Sequence, residues 1–340
     1  MNTSSGIIAA GNWIVDITKM IDVYPPQDTL ANITSEERNN GGGAFNVLCD
    51  LAALQAPFSL QAVGLLGEDS AGDWIEAHCQ SLAIDTTFLH RHPTAPTSYT
   101  DVMTATGTGR RVGEKTCGAN RFLDPEHFPW DQLTGKIFYL GYLLLLDALD
   151  APDSVHGTVA AGILKAAGQR GFYRAVDLVS VERPDYSAIV NPALPEIDLL
   201  ICNELEAARV TGIATRGGGD ELLRPGLEAA AGELFQRGVT DWVVIHFPEG
   251  AYAQSRKGGK FWQGRACLPA EDIVGAAGAG DAFAAGILYG LHEGQGMDRN
   301  LLLGVCAAAA CLRSATTSAG VGTLEECLEL GKSHGFLDMA

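Results

Sequence analysis

In the stretch Gly278-Ala279-Gly280-Asp281-Ala282-Phe283, a glycine-rich turn runs straight into a helical pattern, with a carboxylate at the junction. From Ala282 onward the apolar residues Phe283, Ile287 and Leu291 recur every fourth position, the spacing of one helix face. Amides at a helix start, with the helix dipole behind them, attract a phosphate. Gly278 and Gly280 allow backbone conformations and close approaches that a side chain would block. Asp281 then has two readings: an N-cap of the helix, or a base held beside a bound phosphate.

Other polar residues sit where elements meet. Asn12 and Asp16 lie at or just past the end of the short apolar run that begins at Gly6, which reads as a buried strand. Strand ends of this kind are where ligands bind in open α/β sheets. Gly41-Gly42-Gly43-Ala44-Phe45-Asn46 is a second glycine-rich turn, leading into a helix with Val47, Leu48, Leu51 and Leu54 on one face. Asn203 and Glu206 follow the apolar run Leu199 to Cys202. As an isolated pair they read as an N-cap and a solvated helix carboxylate.

The elements that must position these residues alternate along the chain. Leu60 to Leu66, Ile137 to Leu146, Tyr173 to Val179, Leu199 to Cys202 and Trp242 to His246 read as buried strands. Helices are expected over Ser154 to Gly168, Glu204 to Thr211, Leu227 to Gln236, Leu301 to Leu312 and Leu324 to Leu330. Such alternation predicts a doubly wound, mostly parallel α/β sheet with helices on both faces. Tyr24 to Asn40, with Pro25-Pro26, reads as loop or edge strand. Thr97 to Thr106, a turn over Gly107 to Gly113 and a returning strand over Thr116 to Phe122 predict a small β flap. The whole of 1–340 reads as one domain, with lid segments near 13–40 and 94–122.

Composition narrows the function classes. The net charge of -18 disfavours nucleic acid and anionic membranes, which reward a basic face. It also leaves an anionic ligand to be held by backbone amides, a metal ion or a few Arg and Lys. The eight cysteines are scattered, with no C-x-x-C, so reduced thiols in a cytoplasmic protein are expected. The N-terminus lacks a signal-peptide pattern, and the apolar run Tyr139 to Leu146 is too short to span a bilayer.

Taken together, Asp16, Gly41-Gly42 with Asn46, Asn203 with Glu206, and Gly278 to Asp281 resemble the ribokinase, or PfkB-type, carbohydrate kinase family. The resemblance runs from about Gly11 to about Gly322, with weaker support from Gly67-Glu68-Asp69 with Gly72 and from Gly118-Ala119-Asn120. It implies a ribokinase-like fold with a β lid and phosphoryl transfer from ATP to a sugar hydroxyl. Asp281 would be the base, and the amides of Ala279, Gly280 and Asp281 the anion hole. The resemblance also assigns Asn12, Asp16, Gly41, Gly42 and Asn46 to the acceptor. It assigns Asn203, Phe247, Gly250, Gly278 and Gly280 to ATP, and Asn203 with Glu206 to Mg2+ through water.

The resemblance departs at Gly275-Ala276-Ala277, where the family carries Asp-Thr-Thr, so dependence on a monovalent cation stays open. Phe247 stands where the nucleotide loop usually has a glycine, and His246 reads as a strand-end residue. The Arg110-Arg111 pair in the flap reads as exposed. A homodimer through the lid is expected. A nucleoside kinase, with Trp13 as the shelf for a base, and a sugar-sensing protein with weak catalysis stand as alternatives.

Overall fold

The structure, a computed structural model, describes residues 5–105 and 111–339. In chain order its elements begin with β1 (Ile7–Gly11), β2 (Ile14–Ile21), β3 (Ile33–Gly41), α1 (Gly43–Ala53), β4 (Leu60–Gly67), α2 (Ser70–Ser81), β5 (Asp85–His92), β6 (Ser98–Ala105) and β7 (Arg111–Lys115). There follow β8 (Ile137–Gly141), α3 (Asp147–Asp150), β9 (Pro152–Asp153), β10 (Gly157–Thr158), α4 (Val159–Gln169), β11 (Tyr173–Asp177), α5 (Tyr186–Val190), β12 (Leu199–Asn203) and α6 (Glu204–Thr211). The remaining elements are α7 (Arg224–Gln236), β13 (Trp242–Phe247), β14 (Gly250–Ser255), β15 (Lys260–Gly264), α8 (Ala279–His292), α9 (Met297–Cys311) and α10 (Leu324–His334).

Nine strands make one sheet in the order β15-β14-β13-β12-β11-β8-β1-β4-β5. Strands β13 to β5 of that order run parallel, while β14 and β15 add antiparallel at one edge. The alternation of side chains along a strand feeds two cores. Ile7 and Ala9 of β1 pack in the cluster that holds Phe45 of α1, Phe283 of α8 and Leu301 of α9. Ile8 and Ala10 point the other way, into the cluster with Leu164 of α4 and Leu234 of α7. The sheet is therefore covered on both faces, as the alternating pattern predicts. From β1 the chain proceeds to β4 and β5 on one side, then to β8, β11, β12 and β13 on the other. A topological switch point lies between β1 and β8, where ligands bind in such sheets.

A separate four-stranded sheet, in the order β3-β2-β6-β7, is built from the two predicted lid segments. The polar run from Thr34 to Arg38 explains why β3 is an exposed edge. Several expectations shift. The run Ile137 to Leu146 is strand only to Gly141; Tyr142 to Leu146 turns away from the sheet. Thr116 to Phe122 is not a strand: β7 makes the return, and Ala119–Phe122 is a short 3-10 helix. The helix expected from Ser154 starts at Val159, where Thr158 caps it. Arg110, like the rest of 106–110, lies outside the described residues. No helix among the described residues is long and apolar enough to cross a membrane. All eight cysteines are free, six of them buried and Cys267 exposed.

Helix α1 is buried on every side from Gly43 to Leu51, which carries Asp50 into the core with no exposed surface. The Ser318 hydroxyl lies near the Asp50 carboxyl, but neither Asp50 oxygen makes a hydrogen bond of full geometry among the described residues. Burial pushes its carboxyl well above the usual range, and the Ser318 hydroxyl offsets this only in part. The folded chain therefore keeps this proton at pH values where the unfolded chain, with an ordinary carboxylate at about 3.9, has lost it. A raised folded-state value means stability is full at low pH and falls as pH rises, by up to ~1.4 kcal/mol per pH unit. Asp50→Asn removes that slope. The melting-temperature difference between variant and parent should therefore move in the variant's favour from pH 5 to pH 8. A difference that stays flat over that range contradicts a neutral, buried Asp50.

Candidate active site

Helix α8 begins at the switch-point end of the sheet with no side chain capping its first turn. Its N-cap is Gly278, at a φ of 80°, where an added Cβ would also run into the carbonyl of Thr317. Only glycine fits there. Because a helix leaves its first amides without intrahelical partners, those of Gly280 and Asp281 are available to an anion. At Gly280 an added Cβ would lie 3.4 Å from the His246 ring, an ordinary contact, so this glycine keeps the surface open for a ligand.

Asp281 does not cap the helix. Its side chain is only 6% exposed, and Oδ2 accepts from Asn46 Nδ2 at 2.8 Å. The Tyr142 hydroxyl donates to Oδ1 at 2.7 Å and to Oδ2 at 2.9 Å. Burial pushes the Asp281 carboxyl up to about 6, and the bonds from Asn46 and Tyr142 pull it back towards the charged form. That value suits a group that must accept a proton near neutral pH. Asn46 is itself held: Asn40 Nδ2 donates to Asn46 Oδ1 at 2.7 Å and to Ser318 Oγ at 2.8 Å.

Asp16 projects from β2 over Gly41, where any Cβ would collide with the Asp16 carboxylate. Gly42, at a φ of 87°, lies so close to Asn12 that a Cβ would sit 2.7 Å from its carbonyl oxygen. These two glycines thus bring β2, β1 and the start of α1 together. Burial, with a smaller push from the Asp281 charge, raises Asp16 to about 7, against a hydrogen bond from Thr100. Asn12 is buried, and its amide is engaged by the turn after β8. Its Oδ1 accepts from the Tyr142 amide at 2.7 Å, and its Nδ2 donates to the Leu145 carbonyl at 3.1 Å. Asn12 therefore shapes the pocket wall. Trp13, considered above as a shelf for a nucleobase, is fully buried instead, with Nε1 bonded to the Val63 carbonyl at 2.9 Å and its ring against Phe45.

On the other side of Gly280 opens a cavity of about 660 Å³. Asn203, Phe247, Gly250, Ala279 and Gly280 line it, along with apolar side chains such as Leu268, Ile273, Phe283 and Leu312. Its size and largely apolar lining suit a flat heterocycle. His246 also lines the cavity; burial lowers it to about 4, so the ring is neutral at pH 7.

Asn203 and Glu206 form a reciprocal capping box at the start of α6. Asn203 Oδ1 accepts from the Glu206 amide and Glu206 Oε2 from the Asn203 amide, each at 2.8 Å. Glu206 Oε1 also accepts from Ser180 Oγ at 2.8 Å and from Asn203 Nδ2 at 2.9 Å. The N-cap reading is thus correct in geometry, but Glu206 is buried rather than solvated. Three donors leave about one acceptor position on its carboxylate, room for a water rather than direct ligation of an ion. Among the described residues no three His, Cys, Asp or Glu side chains converge as a metal cage. Mg2+ needs none, because it retains several waters and takes phosphate oxygens.

Asp177 was not singled out by the sequence reading. It ends β11 as a buried carboxyl, raised well above its usual range by burial and then by the charges of Asp281 and Glu206. Its signal was an Asp closing the apolar run Tyr173 to Asp177, at a strand end. Tyr142 was hidden because it was assigned to a strand that has already ended.

Residues 10–323 match the family described as pfkB family carbohydrate kinase. Ribokinase of Arabidopsis thaliana is 27% identical over 310 residues, covering 90% of this chain and 76% of the relative. ATP-dependent ribose-1-phosphate kinase of Halopiger xanaduensis is 25% identical over 295 residues, 83% of each chain. The solved structure of Arabidopsis thaliana ribokinase complexed with ribose and ATP superposes with a TM-score of 0.79 at 23% identity, over 97% of this chain and 99% of that one. A nucleoside kinase of Methanocaldococcus jannaschii superposes at 0.75 with 16% identity, over 98% of this chain and 100% of the other. At these identities the two structures speak for the fold, while the family match spans nearly the whole length. The chain belongs to the pfkB family of carbohydrate kinases.

Proposed function

We propose that the protein transfers the γ-phosphoryl of ATP to a hydroxyl of a sugar, with Asp281 as the general base. The observation that carries this reading is the placement of Asp281. Its carboxylate is buried and pushed up to about 6, and it lies in the uncapped first turn of α8, which borders the 660 Å³ cavity through Gly280. The adenine would lie among the apolar side chains of that cavity. Phe247 and Gly250 would form part of its wall, and the phosphates would run towards Gly278, Ala279 and Gly280. The acceptor would enter on the opposite side, between Asp16, Gly41-Gly42, Asn46 and Asp281, with Asn12 supporting the wall.

The transfer then needs little covalent chemistry from the protein. The acceptor oxygen attacks the γ-phosphorus in line with the departing ADP oxygen, and its proton passes to Asp281. The amides of Gly280 and Asp281 would face the transferring group as charge spreads over its oxygens, while that of Ala279, expected to join them, donates to the Ala276 carbonyl at 3.4 Å. Asn203 and Glu206 would hold Mg2+ through water, and the ion would supply positive charge beside the phosphates. The small sheet of β2, β3, β6 and β7 would close over the acceptor and keep water away. Its exposed edge strand β3 is where the lid of a second subunit would pair.

A sugar is favoured over a nucleoside by the burial of Trp13, which leaves no indole shelf for a base on the acceptor side. Polar groups dominate there, and sugar hydroxyls need such paired donors and acceptors. Asp281→Asn should lower turnover by about 100- to 10,000-fold, the usual worth of a general base, while sugar binding measured by thermal shift persists. Turnover within a few-fold of the parent contradicts the assignment. ADP release over a panel of pentoses, hexoses and nucleosides identifies the acceptor. Release with nucleosides alone overturns the sugar reading, and binding of sugars without ADP from any acceptor overturns the kinase itself.

A further inference from the structure

A general base must meet its substrate hydroxyl at about 2.6–3.2 Å. In this structure that place on Asp281 is taken by an alcohol of the chain itself. The Tyr142 hydroxyl straddles the carboxylate, at 2.7 Å from Oδ1 and 2.9 Å from Oδ2. The phenol is the donor, because burial and the neighbouring Asp281 charge hold its proton on well above the usual range. Asn46 Nδ2 donates to Oδ2 as well, so each oxygen of the base already accepts at least one bond from the chain.

The surroundings let the ring reach the base while anchoring only its backbone. The Tyr142 amide is fixed by Asn12 Oδ1, and the same Asn12 side chain ties down Leu145. The ring lies against Gly43, where a Cβ would come within 2.8 Å of Cε1 and 3.0 Å of Cδ1. Glycine at that position therefore admits the ring. Tyr142 is only half-buried, unlike the fully enclosed Tyr139 three residues before it. Releasing the contact would need only rotation about its side-chain bonds, with the backbone still anchored.

We propose that the Tyr142 hydroxyl is a placeholder on Asp281: it holds the acceptor's position on the base until a sugar hydroxyl displaces it. The consequence is economy of ATP. With nucleotide bound alone, a water at Asp281 would lose its proton to the carboxylate, form the new oxygen–phosphorus bond and release ADP. The phenol keeps water from that position, and only an alcohol that binds well enough to displace it frees the base. Tyr142 is thus a positioning residue that makes base exposure conditional on the acceptor. This inference rests on Asp281 as the base, as proposed above.

The test is ADP release by Tyr142→Phe in the presence of ATP and Mg2+ with no acceptor, compared with the parent. The expected result is a rise of about tenfold in acceptor-independent hydrolysis. With the acceptor found in the panel, KM should fall by about three- to tenfold, the worth of one hydrogen bond no longer to be broken, with a smaller change in kcat. Tyr142→Met, which keeps bulk without a hydroxyl, should show the same pattern, and melting temperatures check that each variant is folded. Background hydrolysis and KM both unchanged in the folded variants overturn the placeholder. So does phosphate found on Tyr142 in the parent after incubation with ATP alone, since the phenol would then be an acceptor itself. The double variant Tyr142→Phe with Asp281→Asn should return hydrolysis to the parent level, and hydrolysis that persists there places water activation elsewhere and overturns the proposal. Full sugar transfer by Asp281→Asn alone instead removes the base reading, a separate failure.

Discussion

A carboxylate buried at the positive end of a helix faces two opposing forces, and the site depends on their balance. Burial disfavours the charge on Asp281, while the α8 amides, Asn46 and Tyr142 favour it. The outcome is a carboxyl poised near neutrality, able to be charged before transfer and to hold a proton after it. Gly278 makes this possible, since its left-handed φ and its closeness to Thr317 let α8 start with bare amides. A capping Ser or Asp there would satisfy the amides and remove the anion site.

Asp281 is not the only buried acid. Asp16, Asp50, Asp177 and Glu206 are all raised by burial, and several feel one another's charge. A chain optimised only for stability would not bury so many carboxyls. A cation and a polar acceptor sharing the site, as proposed above, would account for the arrangement. The same reading would explain why the nucleotide side is apolar, with His246 neutral, while the acceptor side is polar. On the proposed reading, the two substrates would be separated by chemistry before they are joined at the start of α8.

Much of this was legible in the sequence. Strand and helix periods revealed the doubly wound sheet, and the glycine turns before α1 and α8 marked where Asn46 and Asp281 meet. Asn203 and Glu206 pair as their spacing predicts, although the burial of Glu206 could not be seen. What stayed hidden depended on tertiary placement. An apolar run such as Ile137 to Leu146 carries no mark of where pairing stops, so the turn that presents Tyr142 read as strand. Trp13 looked available because its chain position is near the site, yet its side chain points into the core. Asp50 looked like an ordinary helix residue until α1 proved to be enclosed on all sides.

The central claim is that Asp281 takes the acceptor's proton from within a buried, uncapped helix start. The pH dependence of kcat/KM for the acceptor, at saturating ATP and Mg2+, tests it most directly. The account predicts a rate that falls about tenfold per pH unit below an apparent value near about 6, shifted upward to the extent that Asp16 titrates with it. Above pH 7 to 8 the rate should level off. A profile flat between pH 5 and pH 8 would contradict a carboxylate base at this position.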